Sequence, residues 1–284
     1  MTQKIAIVVI HGAGTPDEDF ADEIITRVSR KFAKKLSIKN AEQELEFEPV
    51  FWSSVFETEQ AELWNRLQDS ADLNYNRLRR FVIEFLADAV AYQPTALGNQ
   101  NYDKVHSLVA ASIQKLRDKA GPNAPLCVIS HSLGSIVASN YFYDLQFARE
   151  NVGMETRKCI SNSSIEKCET LSLFYTMGSP MALWSLRYID FGSPITVPSP
   201  ANRELYPLLQ GEWINFYDKD DVFAFPLKGV NEAYNTAVTR DMQVNVGGLF
   251  TSWNPLSHTH YDTDDDVITP IVDGLVRTWR SING

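Results

Sequence analysis

The run Cys127-Val128-Ile129-Ser130-His131-Ser132-Leu133-Gly134-Ser135-Ile136-Val137-Ala138 constrains this chain more than any other. An apolar strand, a tight turn and a helix follow one another with no spare residue. Leu126 to Ile129 is apolar throughout, so it reads as a strand covered on both faces, and such strands belong to parallel sheets flanked by helices. Leu133 to Phe147 reads as a helix. Ser132 then stands on the sharp turn between them, where the backbone is strained. It also stands at a helix N-terminus, so the Leu133 N–H points towards any negative charge developing beside it. Gly134 lets strand and helix approach, and Ser130 is a small residue in the matching position. A serine that merely caps a helix would fit the same local pattern, so its surroundings must decide.

Those surroundings repeat the theme. Lys4 to Ile10 is an apolar strand, and Asp17 to Leu36 a helix with Phe20, Ile24, Val28, Phe32 and Leu36 at steps of four. Pro16 and Asp17 mark its expected start. Leu45 to Trp52 is a second strand, with Leu45, Phe47 and Phe51 as its inward set. Asn101 to Ala120 is a helix ended by Gly121-Pro122. Further strands fall at Ser172 to Met177, Trp213 to Tyr217 and Met242 to Val246. Phe191 to Leu208 is proline-rich and irregular. Pro270 to Trp279 closes the chain as a helix, with Thr269 as its expected cap. Strands alternating with helices predict an α/β fold, a mainly parallel sheet in a three-layer α/β/α sandwich.

Glu57 to Gln93 is longer than a simple crossover needs. Leu63, Leu67, Leu73, Leu78, Val82, Phe85, Leu86, Ala89 and Val90 recur there at helical spacing. The stretch reads as a helical insertion after the second strand, a cap or insert at about 57–100. Its stripe is expected to be ordinary core rather than an acyl-chain groove. Arg77, Arg79 and Arg80 are expected on a solvated face. The whole chain, 1–284, reads as a single domain.

The net charge of −10 argues against nucleic acid as a partner, because phosphate binding needs clustered Lys and Arg. No apolar stretch approaches the ~20 residues of a membrane-spanning helix. Three cysteines, Cys127, Cys159 and Cys168, make no regular framework, which predicts reduced thiols and a cytoplasmic setting. The acidic cluster Asp262, Asp264, Asp265 and Asp266 lacks the glycine and terminal glutamate of an EF-hand loop. It reads as a negative lead-in to the last helix. No metal and no organic cofactor is expected. The oligomeric state is not legible.

Ser130-His131-Ser132-Leu133-Gly134 resembles the Gly-His-Ser-Leu-Gly elbow of the α/β-hydrolase fold, in its lipase and esterase branch. The resemblance implies that Ser132 is a nucleophile. His11-Gly12-Ala13-Gly14, directly after the first strand, resembles the family's His-Gly oxyanion loop. It implies the Ala13 N–H as second oxyanion donor beside Leu133, with His11 orienting the loop. Met177-Gly178-Ser179-Pro180 resembles the family's Thr-x-Gly-Ser-Pro strand end, and implies pocket-lining residues.

In this fold the order is Ser, then acid, then His. Only His258 and His260 follow Ser132. Ser257-His258-Thr259-His260-Tyr261 resembles the family's His-Thr-Ser-Tyr-Trp segment, which places His258 as the base and leaves His260 as the alternative. Trp213-Ile214-Asn215-Phe216-Tyr217, followed by Asp221-Val222-Phe223-Ala224-Phe225-Pro226-Leu227, resembles the family's acid strand and loop. The match implies Asp221 as the acid, with Asp218 and Asp220 open. The function so implied is hydrolysis of a carboxylic ester, the substrate being a small-molecule or lipid-like ester. An acyltransferase or thioesterase would use the same residues, and an inactive binding module would keep the fold alone.

Overall fold

Six parallel strands build the sheet among the described residues of the computed structural model: β1 (Ile5–Ile10), β2 (Leu45–Val50), β3 (Leu126–His131), β4 (Leu171–Met177), β5 (Glu212–Asp218) and β6 (Arg240–Val244). Their order is β2-β1-β3-β4-β5-β6. The structure describes residues 2–14, 16–70, 74, 76–93, 100–246, 258 and 260–284, with the backbone alone at 70, 77, 78 and 80–85.

The central strands β1 and β4 are buried at every position, and β3 at all but His131. Both faces of the sheet are therefore covered, which is why these segments are near-continuous apolar runs. The edge strands β2 and β6 carry half-buried and exposed positions. Helices α1 (Asp22–Leu36), α2 (Glu57–Ser70), α3 (Asn76–Ala91), α4 (Gln100–Ala120) and α5 (Leu133–Phe147) complete the main frame with a C-terminal helix (Asp265–Asn283). Val105, Val109 and Ile113 of α4, with Ile136, Val137 and Tyr141 of α5, fill the core on one face. Ile24, Val28 and Phe32 of α1 join Ile268, Ile271 and Leu275 of the C-terminal helix on the other. This is the three-layer α/β/α sandwich expected for an α/β-hydrolase fold.

Several local expectations change. Helix α1 begins at Asp22 and not Asp17, because Asp17 to Phe20 closes a turn first, with Phe20 N bonded to Asp17 O at 3.0 Å. The C-terminal helix begins at Asp265, not Pro270. The Asp264 carboxylate accepts the Asp266 N–H at 2.8 Å, so Asp264 rather than Thr269 is the cap. Pro270 lies inside the helix, where it forgoes one backbone hydrogen bond. Asp265 pairs with Lys31 at 2.9 Å. In the second strand Phe47 and Phe51 are only half-buried, while Trp52 is fully buried.

The helical stretch after β2 is present, but its apolar stripe does not form core as expected. Leu63, Leu86 and Val90 are exposed, Leu67 is half-buried and Ala89 is buried. The buried face of α3 carries Asp88 and Ala89, and Tyr92 follows just beyond it. The expectations for Leu73, and for the side chains of Leu78, Val82, Phe85, Arg77 and Arg80, lie outside the described residues. Arg79 is exposed and donates to Asn74 O at 2.8 Å. All three cysteines are free thiols, Cys127 and Cys168 being buried.

Candidate active site

The order of strands reverses on either side of β1: the chain moves from β1 out to β2, then returns past it to β3. In open parallel sheets such a switch opens a crevice at the carboxyl ends of the strands concerned. His11 to Gly14 leave the end of β1 there, and Ser132 leaves the end of β3.

Ser132 has φ 49° and ψ −127°, a conformation that side-chain-bearing residues rarely adopt. It is held there because its N–H bonds Met177 O at 2.8 Å on the neighbouring strand end, while helix α5 starts at the next residue. Gly134 has no room for a side chain: a Cβ there would come within 2.1 Å of His11 O and 2.8 Å of Ile10 O. Ser130 fills its site without that conflict, fully buried and donating to Tyr175 O at 3.1 Å.

Ser132, His258 and Asp221 are brought together. Asp221 Oδ2 lies 2.8 Å from His258 Nδ1, and His258 Nε2 lies 2.7 Å from Ser132 Oγ. A carboxylate can only accept, so Nδ1 carries the proton and Nε2 is left to accept from the serine hydroxyl. All three side chains are buried. His260 makes no such contact among the described residues; its carbonyl accepts the Thr263 hydroxyl at 3.2 Å. Asp218 is committed elsewhere, its carboxylate accepting the N–H groups of Asp220 at 2.8 Å and Val246 at 2.7 Å. It braces the turn that carries Asp221, which Asp220 joins through that N–H.

Burial alone would raise the Asp221 carboxyl, but the His258 hydrogen bond and charge, the Phe223 N–H and the Tyr261 hydroxyl together hold it below its ordinary value. It is therefore ionised at neutral pH.

Two residues around His258 were not singled out as site residues by the sequence. Tyr261 donates to Asp221 Oδ2 at 2.9 Å and accepts the Asp218 N–H at 2.9 Å. His131 Nε2 donates to the carbonyl of His258 at 2.7 Å, and its ring lies 4.8 Å from that of His258. Burial, then the neighbouring His258 imidazole, lowers the His131 pKa to about 3, so it is a neutral brace. Position next to Ser132 was the one available signal for His131. For Tyr261 there was only its place three residues after His258.

The loop after β1 is equally defined. His11 Nδ1 donates to Gly12 O at 2.7 Å, leaving Nε2 to accept the Trp52 N–H at 3.2 Å. Trp52 Nε1 returns a bond to His11 O at 2.8 Å, and the two rings stack at 5.2 Å. Burial lowers the His11 pKa to about 4, so it stays neutral and structural. Gly12 lies against the Ser132 turn, where a Cβ would come within 2.8 Å of Ser132 Cβ. Between Gly12 and Gly14, the Ala13 N–H bonds no acceptor among the described residues. The Leu133 N–H opens helix α5 and has no intrahelical acceptor.

A cavity of about 240 Å³ adjoins Ser132 and His258. Val9, Ile10, Phe20, Ile24 and Met177 make its apolar wall. Of Met177-Gly178-Ser179-Pro180, Met177 alone lines this cavity. Gly178, at φ 58°, gives way to the histidine instead, since a Cβ there would lie 3.2 Å from the His258 ring. Ser179 is buried beneath α5, bonded to Ser135 Oγ at 2.6 Å.

No family model and no curated protein matches the sequence. Among solved structures, one from work on two fungal esterases of Rhizomucor miehei and their substrate specificity aligns over 99% of this chain and 78% of its own, at 12% identity and a TM-score of 0.46. No helix among the described residues is long and apolar enough to cross a membrane.

Proposed function

We propose that the chain is a serine hydrolase that cleaves a carboxylic ester-like bond through an acyl-enzyme on Ser132. One observation carries this reading: the continuous hydrogen-bonded chain Ser132–His258–Asp221 at the mouth of an apolar cavity. A serine hydroxyl is a poor nucleophile without a base, and the base works best when a carboxylate holds its tautomer.

His258 Nε2 removes the Ser132 proton as Oγ attacks the ester carbonyl. Asp221 stabilises the imidazolium so formed. The N–H groups of Ala13 and Leu133 receive the developing oxyanion. Collapse breaks the bond to the leaving alkoxide, which takes the proton from His258. Water then adds to the acyl-enzyme by the same route, and the acid departs. The free thiols of Cys127, Cys159 and Cys168 support a reducing, cytoplasmic setting. The cavity beside Ser132 takes the acyl group.

The test is labelling by a fluorophosphonate probe, with the modified peptide read by mass spectrometry. Wild type is expected to label on Ser132, and Ser132→Ala to remain unlabelled. A folded wild type that fails to label would overturn the hydrolase reading in favour of a binding module.

A further inference from the structure

Asp88 on helix α3 is fully buried, yet it belongs to the insertion after β2 and not to the sheet. One of its carboxylate oxygens accepts the Gly14 N–H at 2.8 Å. The other accepts the side-chain amide of Gln60 from helix α2. A buried carboxylate is retained only where donors compensate its lost hydration. Here one of those donors is the Gly14 backbone, next to Ala13 of the proposed oxyanion site.

We propose that Asp88 is a positioning residue that fixes the oxyanion loop, so that helices α2 and α3 are a working part of the catalytic apparatus. This role rests on the hydrolase reading of Ser132. The segment concerned, His11 to Gly14, opens the connection from β1 to α1. Its first residue is clamped by Trp52 through two hydrogen bonds and a ring stack. Its last residue, Gly14, has φ 88°, a conformation that costs glycine nothing and gives the loop no rigidity of its own. Asp88 anchors this residue through its N–H. Ala13 lies between the two clamps, and its N–H must be held in place before the oxyanion forms if it is to stabilise it. Gln60 in turn steadies Asp88, which ties α2 to the same point.

The experiment compares wild type, Asp88→Asn, Asp88→Ser and Asp88→Ala for hydrolysis of p-nitrophenyl butyrate, with thermal melting in parallel. Losing one oxyanion donor outright costs about 10²- to 10³-fold in kcat, and loosening it costs less. Asp88→Ala is expected to lose about 10- to 100-fold in kcat with KM within about twofold. Asp88→Ser, polar but too short to reach Gly14, gives the same loss and serves if the alanine variant does not fold. Asp88→Asn still offers an oxygen to Gly14 N–H and retains most of the rate. A folded serine or alanine variant with kcat within about twofold of an active wild type overturns the inference, as does a loss confined to KM. A wild type that neither turns over ester nor labels at Ser132 overturns the hydrolase reading itself.

Discussion

Tyr261 and His258 both donate to Asp221 Oδ2, at 2.9 Å and 2.8 Å. The tyrosine therefore sets where the carboxylate sits before the histidine meets it. Tyr261→Phe removes that bond and leaves the buried Asp218 N–H without its acceptor. An unsatisfied buried N–H costs about 1–3 kcal/mol. The expected result is a lower melting temperature and a kcat reduced by about 3- to 10-fold, on the scale of about 1 kcal/mol of lost positioning. Steady-state kinetics and thermal melts check both, and unchanged kcat would show that Asp221 needs no such brace.

Asp221→Asn keeps the shape of the site and removes the charge. An amide can donate to Nδ1, and so favours the wrong imidazole tautomer. A loss of about 10⁴-fold in kcat is expected, with a folded protein by circular dichroism. A loss under about tenfold would move the acid role to another carboxylate.

The elbow admits no side chain at Gly134. Gly134→Ala sets a Cβ against the carbonyl oxygens of His11 and Ile10, which are backbone and cannot rotate away. Overpacking of this kind costs about 1–3 kcal/mol, and more where backbone cannot yield. Gly229→Ala is the control, since nothing among the described residues lies within 4 Å of the Cβ it would add. Urea unfolding of the two variants is expected to separate them clearly.

Acid should weaken the fold through His11. Its folded pKa is about 4, while an unfolded histidine titrates near 6.5. Between those values the unfolded chain binds the proton and the folded chain does not. Stability is thus complete above about pH 6.5 and falls as pH drops towards about 4, by up to about 1.4 kcal/mol per pH unit. In urea titrations from pH 7 to pH 4, His11→Gln is expected to show a shallower fall than wild type. Equal slopes would mean that His11 is protonated in the folded protein.

The cavity beside Ser132 is about 240 Å³, below the roughly 300–1,000 Å³ of pockets for drug-sized ligands. Short acyl chains are therefore expected to react best. In a p-nitrophenyl series, kcat/KM should peak at acetate to butyrate and fall towards dodecanoate. Ile24→Ala, which opens the wall, should move the peak to longer chains. A wild-type optimum at dodecanoate would place the acyl group elsewhere.

Strands and elbow were legible because their signals are local. The helix Leu133 to Phe147 follows from its own residues, and so does the burial of β1 and β3. Helix starts were less legible: Pro16-Asp17 and Thr269-Pro270 carry helix-start chemistry, but a turn and the Asp264 cap prevailed. Asp218, Asp220 and Asp221 stayed open along the chain, since all three are acids within four residues at the end of one strand. They differ only in what each faces.

The sequence by itself determined an α/β sheet with a serine raised on a strand-to-helix turn, because backbone periodicity and small-residue spacing act over a few neighbours. Only the tertiary structure decided that Asp221 meets His258, that Tyr261 and His131 hold that pair, and that Asp88 reaches Gly14. Those contacts join residues 37, 40, 127 and 74 positions apart. A hydrogen bond depends on distances of about 3 Å, and the fold alone brings residues so far apart in the chain to that range.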